Sequence, residues 1–325
     1  MILVTGGAGY IGSHVVKKLL EVKQEVIVFD NFENTSRSNI EKLGVKFLKG
    51  DLRFREDLNV LKDIKIDTCI HLAAYASVGD SVKNPFAYYN NNVLGTLNLL
   101  DFLSSTPCTE LIFSSTSEVY GESDYLPIDE AHKKNPLNPY GHSKLIAEEL
   151  IKSYEQTHGI KHVLFRYFNA AGSSMDGSIG EIHTPETHLI PNIIFGVLGL
   201  KDFTLTCSKV DTPDGTPVRD YVHVDDIADA HVMAIDYLKN NPSDEFNLGS
   251  GKGYSVLEIV NQVESITGVN INKTLGEIRV GEPGKKYASY NKIKNLIGWT
   301  PRLSLEDIIT SAYRYYRENK KLIKI

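Results

Sequence analysis

Tyr140 and Lys144 stand four residues apart in Tyr140-Gly141-His142-Ser143-Lys144, on one face of any helix that holds them. A phenol titrates near ~10, so a tyrosine acting as a base near pH 7 needs about 4 kcal/mol of preferential stabilisation of its phenolate. A neighbouring ammonium and a positively charged cofactor ring are the groups that supply it. The spacing alone is common: Tyr290/Lys294 and Tyr316/Lys320 share it and read as amphipathic helix surface. Tyr140 is set apart by context. It follows the stretch Phe113-Ser114-Ser115-Thr116-Ser117-Glu118-Val119-Tyr120-Gly121, in which hydroxyls cluster at the end of an apolar run. That stretch also carries Glu118, which reads either as an acid–base group or as a bystander beside a catalytic hydroxyl.

A second chemical signal lies at the start. Gly7-Ala8-Gly9-Tyr10-Ile11-Gly12 is a G-x-G-x-x-G run between a strand-like ILVT and a helical pattern, and Gly6, Gly9 and Gly12 add a GxxGxxG spacing. Glycines let the backbone turn tightly and approach a pyrophosphate, whose charge rests on the helix N-terminus. Asp30 ends the next strand, 18 residues after Gly12. A carboxylate there binds ribose hydroxyls and repels the extra phosphate of NADP, so NAD is the expected dinucleotide. Asp51-Leu52 and His71-Leu72-Ala73-Ala74 end further strands, where an open α/β sheet borders its ligand crevice. Asp51 reads equally as a turn or N-cap residue ahead of the helical pattern near 54.

The elements that must position these residues alternate. Residues 2–5, 25–29, 45–48, 68–72, 110–114 and 163–168 read as strands, several lacking alternation as strands covered on both faces do. Helical patterns occupy about 12–21, 54–62, 86–104 and 141–157. The expected fold class is α/β: a doubly wound, Rossmann-like parallel sheet, with a second, smaller mixed α/β lobe for substrate. Residues 1–169 form the expected dinucleotide domain, with about 222–248 returning to it, and 170–325 form the smaller lobe, with helices near 188–199, 225–239, 255–267 and 304–318. A chain of 325 residues is long enough for two such lobes. Its net charge of −6 argues against a nucleic-acid protein. Cys69, Cys108 and Cys207 lie far apart, which suggests neither a disulfide framework nor a cysteine zinc site. The first residues already read as strand and turn, leaving no room for a signal peptide, and no apolar run approaches a membrane span. A cytoplasmic protein is expected.

TGGAGYIG, FSST and YGHSK together resemble the extended short-chain dehydrogenase/reductase family. Across nearly the whole chain the order of motifs is similar to its UDP-hexose 4-epimerase branch. Arg166–Gly172 (RYFNAAG), His183–Pro191 (HTPETHLIP) and Asp214–Asp226 (DGTPVRDYVHVDD) resemble that branch's nucleotide-sugar segments. The resemblance implies that Tyr140 takes the proton of the sugar 4-hydroxyl, that Thr116 hydrogen-bonds the same oxygen, and that Lys144 lowers the pKa of Tyr140. It implies NAD contacts at Gly6, Gly9, Tyr10, Ile11, Gly12, Asp30, Asn31, Asp51, Leu52, Leu72, Ala73, Ala74, Asn91, Tyr140, Lys144 and Tyr167. For the UDP-sugar it implies Thr116, Asn169, Leu189, Arg219, Tyr221, Arg279 and Glu282, the last standing where the family usually has an aspartate. Arginine's planar fork also suits diphosphate oxygens on its own account, although any one arginine reads as well as a solubilising charge. Family members of this type are commonly homodimers, and 86–104 with 141–157 are the candidate interface helices.

Thr116-Ser117-Glu118 departs from the epimerase pattern and resembles nucleotide-sugar 4,6-dehydratases and UDP-glucuronate decarboxylases. The segments of the second half outweigh it, and Glu118 is expected to be structural or peripheral. Ala76 replaces a phosphate-contacting lysine found in some members. Lys286, or Tyr287 one place on, falls where residue size is implied to control entry of N-acetylated sugars, and either is bulky. His183 and His188 invite a metal reading, but Pro185 interrupts the regular helix that a metalloprotease motif requires, so a substrate-side loop and no metal are expected. The reading from another class is a non-catalytic NAD or nucleotide-sugar sensor in which Tyr140, Thr116 and Lys144 are idle.

Overall fold

The computed structural model describes residues 1–35, 37–183, 185–205, 210–271, 273–275 and 284–323. The six apolar runs form β1 (Ile2–Thr5), β2 (Val26–Asp30), β3 (Lys46–Lys49), β4 (Thr68–His71), β5 (Glu110–Thr116) and β6 (Lys161–Tyr167). Short β7 (Asn169–Ala171), β8 (Phe203–Leu205) and β9 (Val218–His223) follow, then β10 (Asp244–Leu248), β11 (Gly253–Ser255), β12 (Lys273–Leu275) and β13 (Lys285–Lys286). The larger sheet is parallel, in the order β10-β6-β5-β4-β1-β2-β3. Every residue of β1, β2 and β4 is buried, which is why these strands show no alternation. Strand order reverses at β1, and the crevice of a doubly wound sheet opens at such a switch point, outside the carboxyl ends of the strands.

Helices cover both faces: α1 (Tyr10–Glu21), α2 (Ser38–Leu43), α3 (Val78–Lys83), α4 (Pro85–Tyr88), α5 (Gly95–Ser104), α6 (Pro139–His158), α7 (Leu189–Val197), α8 (Val224–Asn240), α9 (Val256–Thr267), α10 (Asn291–Ile297) and α11 (Leu305–Glu318). The pattern at 54–62 becomes a 3₁₀ helix, Arg55–Leu61. The segment 86–104, expected as one helix, is interrupted by a π-helical turn at Tyr89–Leu94. The cause is Asn92, which points inward. Its amide donates to Tyr75 O (3.0 Å) and Ser143 Oγ (2.9 Å) and its carbonyl accepts from Tyr75 N (2.8 Å). An apolar periodicity cannot report a polar side chain used in this way.

The smaller lobe is built around β9. Its first half lies between antiparallel β11 and parallel β13, and its second half pairs with β7. A separate parallel pair joins β8 to β12. Ile190, Ile194, Ile259, Val263, Ile308 and Tyr316 from α7, α9 and α11 supply its core. Segment 224–248 does not stay with this lobe: α8 packs on α1, and β10 adds to the edge of the large sheet beside β6. Cys69 and Cys108 are buried free thiols, and Cys207 lies outside the described residues. Among the described residues no helix is long and apolar enough to cross a membrane.

Candidate active site

One cleft of about 1650 Å³ runs across the carboxyl ends of β1, β2, β4, β5 and β6 to the smaller lobe. Its first wall is the turn from β1 into α1. Gly6 adopts φ +71°, and a Cβ there would lie 2.5 Å from Ala73 N. A Cβ on Gly12 would lie 2.1 Å from Gly6 O, so only glycine lets α1 start this close to the strand. Gly9 is the N-cap of α1, makes no side-chain cap and is followed by no acid in the first turn. The positive end of the helix therefore faces the cleft with nothing from its own sequence to neutralise it, which fits the diphosphate of a dinucleotide. Asp30 ends β2 with Oδ2 accepting from Ala8 N (3.0 Å) and Oδ1 from Phe32 N (2.8 Å). Burial pushes its carboxyl up, while the two amides pull it back. Asp51 takes Arg53 N at 2.9 Å, the turn role anticipated for it, and still lines the cleft, held by Asn31 (3.0 Å) and the Arg53 guanidinium.

The chemical wall is made where β5 ends and α6 begins. Register places Thr116 beside Tyr167. Asn138 caps α6 through Gly141 N (2.9 Å), and Pro139 occupies its first position, where a missing N–H costs nothing. Gly141 lets the helix approach, since a Cβ there would sit 2.6 Å from Glu118 O. Tyr140 thereby joins Thr116 in lining the cleft, and Lys144 follows one turn on. Burial pushes the Tyr140 phenol up; the Thr116 hydroxyl opposes this and the Glu118 carboxylate adds to it. Lys144 is 2% exposed, with Nζ 4.4 Å from the Phe113 ring centroid. Burial pulls its ammonium down to about 7, with Glu148 opposing. The protein alone therefore does not show the expected lowering of Tyr140 by Lys144; desolvation dominates both groups.

α6 is fixed from behind by a pair that motif reading does not reveal. Arg166 and Glu148, both fully buried, make two hydrogen bonds of 3.0 and 2.8 Å, and Arg166 also donates to Tyr120 Oη (3.0 Å). On the substrate side, β9 gathers Asn169, Tyr221 and Arg219 through its pairing with β7, β11 and β13. Asp220, fully buried, accepts from Ser250 N (2.7 Å), Gly251 N (3.0 Å) and Ala288 N (3.0 Å), which fastens β13 against β9.

Register between β9 and β13 sets Lys286 beside Arg219. Lys286 Nζ reaches Glu118 Oε1 at 2.7 Å, and Asn138 donates to Glu118 Oε2 at 2.8 Å. Burial alone would raise the Glu118 carboxyl, yet Lys286, Asn138 and the field of Arg219 hold it below the usual carboxylate range. Glu118 is an ionised, tethered group. A side chain acting as a base must exchange protons near the working pH, and this one is poised against that.

Each candidate within the described residues lines this cleft: the glycine turn with Tyr10 and Ile11, the ends of β2 to β4 from Asp30 to Ala74, Asn91, the Thr116–Tyr140–Lys144 group, Tyr167, Asn169, Leu189, Arg219 and Tyr221. Arg279 and Glu282 lie outside the described residues. His183 and His188 line it too, joined by Glu186 of the same segment and by Glu181, a carboxylate that motif spacing did not single out.

Comparison with known proteins is consistent along the chain. The sequence pattern of the NAD dependent epimerase/dehydratase family matches residues 2–249. The UDP-glucose 4-epimerase of Lactobacillus helveticus is 42% identical over 327 aligned positions, covering 98% of each chain. The crystal structure of UDP-glucose 4-epimerase from Bifidobacterium longum in complex with NAD+ and UDP superposes with TM-score 0.95 at 35% identity, over 99% of each chain. That of the Stenotrophomonas maltophila enzyme, with bound NAD and formylated UDP-arabinopyranose, gives 0.94 at 34% identity over 98% of each.

Proposed function

We propose, for a chain that belongs to the NAD dependent epimerase/dehydratase family, that its reaction is the 4-epimerisation of a UDP-hexose, interconverting UDP-glucose and UDP-galactose. The observation that carries this reading is the grouping of Thr116, Tyr140 and, one helical turn on, Lys144 on one wall of the same cleft as the uncapped glycine turn and Arg219. NAD, when bound, supplies the hydride acceptor and donor and a positive ring charge. The glycine turn with Asp30, Asn31 and Asp51 would hold its adenosine diphosphate half, and Asn91, Lys144 and Tyr167 its other end.

The protein's own part is proton handling. Tyr140 Oη accepts the proton of the sugar 4-hydroxyl and returns it to the same oxygen after the sugar has presented its other face. Thr116 Oγ steadies that oxygen by hydrogen bonding. Because burial raises the Tyr140 phenol, stabilisation of its phenolate has to exceed the roughly 4 kcal/mol that an unperturbed phenol would need at pH 7. Protonated Lys144 provides part of it. Arg219 binds diphosphate oxygens, Asn169, Leu189 and Tyr221 the rest of the nucleotide sugar, and Arg279 and Glu282 complete that set.

A 4,6-dehydratase would need Glu118 to remove a C5 proton, and its tether to Lys286 and Asn138 speaks against that. A sensor would leave the buried phenol without work. The proposal extends to a cytoplasmic homodimer, paired through the segments 86–104 and 141–157, and to a division of labour between a dinucleotide half (1–169, with 222–248) and a substrate half.

The test is incubation of the purified protein with UDP-galactose and no added NAD, followed by NMR. Conversion to a UDP-glucose mixture of unchanged mass is expected. A product lighter by one water, or no change, refutes the proposal. Tyr140→Phe should keep binding UDP while turnover falls by at least about 100-fold, the lower range for a lost acid–base group; undiminished turnover would remove Tyr140 from the mechanism.

A further inference from the structure

In the approach to α7, Glu181, His183, Glu186 and His188 each turn one donor atom toward a common point, all of them within 4.8 Å of one another. We propose that these four side chains bind a divalent transition-metal ion, with zinc the best match to the donor set. The site is separate from the proton-transfer group and does not depend on the reading of the reaction.

Charge is the first argument. Glu181 and Glu186 are buried, 3% and 9% exposed. Two carboxylates this close repel strongly when water is excluded. With both imidazoles neutral, as ligation requires, the two carboxylates leave a charge of −2, which one divalent ion cancels. Geometry is the second. Zinc bonds of about 2.1 Å in a tetrahedron set neighbouring ligand atoms about 3.4 Å apart. Here His183 Nδ1 lies 3.0 Å from Glu181 Oε1 and 3.9 Å from Glu186 Oε2, His188 Nδ1 lies 3.8 Å from the other oxygen, Glu186 Oε1, and one donor atom from each residue can be chosen with all four within 4.8 Å. The other histidine–carboxylate pair, His188 Nδ1 with Glu181 Oε1, is in closer contact. Mixed nitrogen and carboxylate donors suit zinc over magnesium or calcium, which prefer oxygen alone.

The surroundings hold the donors in place. Glu186 Oε1 accepts from the Thr187 and His188 amides, both at 2.8 Å, and Asn192 donates to His188 O at 2.7 Å. An independent observation comes from the other side. The Tyr315 and Tyr316 side chains line a small cavity shared with Glu181, His183 and Glu186. Both residues are 2% exposed or less, and neither hydroxyl has a hydrogen-bond partner among the described residues. Two orphaned hydroxyls beside two carboxylates are costly unless the site takes up a further polar ligand. Half-exposed His188 gives an ion its route of entry.

An ion here cross-links the ends of the 181–188 segment immediately before Leu189, the first residue of α7. Its effect is to hold the wall that Leu189 presents to the cleft.

The test is calorimetric titration of zinc chloride into chelator-treated, dialysed protein, followed by cobalt substitution read by visible absorption. Expected are one ion per chain, a higher melting temperature, and the intense bands of tetrahedral cobalt. His183→Gln, at a partly exposed position where folding is not in question, should weaken binding at least tenfold, as should Glu181→Gln. Absence of stoichiometric binding overturns the proposal and leaves a network of ion pairs. Unaltered affinity in His183→Gln overturns it as well, because the ion would then sit elsewhere.

Discussion

Lys144→Met should make the cofactor-stripped protein more stable and the enzyme nearly inactive. Lysine titrates near ~10.4 in an unfolded chain. Burial brings Lys144 down to about 7 in the fold. Between those values the unfolded chain binds more protons, so stability rises with pH across that window, and the full cost of burying the ammonium is felt below pH 7. Three to three and a half units correspond to about 4–5 kcal/mol. Methionine removes this cost, keeps most of the volume and forfeits the ammonium's contact with Phe113, 4.4 Å away, worth about 1–2 kcal/mol. The net gain at pH 6.5–7 is then about 2–4 kcal/mol. With about 2.1 cal/mol/K of unfolding entropy per residue, the 325-residue chain gains about 3–6 °C in melting temperature. The assay is thermal unfolding by circular dichroism at pH 6.5, 8 and 10, on protein freed of dinucleotide. The gain should shrink steadily with pH and vanish by pH 10, and turnover should fall by about 100-fold or more throughout. A variant that is less stable at pH 6.5, or whose gain is the same at pH 10, would refute the claim that Lys144 is held against its own solvation.

Two further substitutions separate roles within the cleft. Glu118→Gln preserves the shape that Asn138 and Lys286 grip but deletes the negative charge that raises the Tyr140 phenol. Turnover of UDP-galactose should stay within about tenfold of the parent, with the acid limb of the pH–rate profile moved to lower pH; abolished turnover would instead make Glu118 a base. Gly12→Ala drives a methyl group to 2.1 Å from Gly6 O, so β1 and α1 must separate. The purified variant should carry little NAD, measured by nucleotide released on acid precipitation, and lose more than about 2 kcal/mol of stability; a full complement of NAD would dismiss the close approach as the reason for glycine.

How far residues alone specify this molecule can be followed position by position. Strands β1, β2 and β4 are short, mainly apolar and bounded by turns, so their existence and burial were legible. Tyr140 was selected over Tyr290 and Tyr316 by its neighbours in the chain, and it lies in the cleft whereas Tyr316 is core. What escaped is what depends on distant partners. The π-helical turn exists because Asn92 reaches Tyr75 and Ser143. The state of Glu118 is decided by Lys286, 168 positions away, brought in by a two-residue strand whose register no local pattern encodes. Glu181, His183, Glu186 and His188 come together from a non-helical loop, an arrangement that helical spacing cannot report.

The return of β10 to the large sheet has a bearing on how this protein can be cut. Severing the chain after β7 would remove α8 from α1 and expose the full length of β6, whose unpaired N–H and C=O groups run from Val163 to Tyr167. A bare strand edge bearing Leu164 and Phe165 is a template for another chain to dock on. The large sheet is therefore completed by residues that come after β9, and it reaches its finished form only once the chain has been made as far as Leu248.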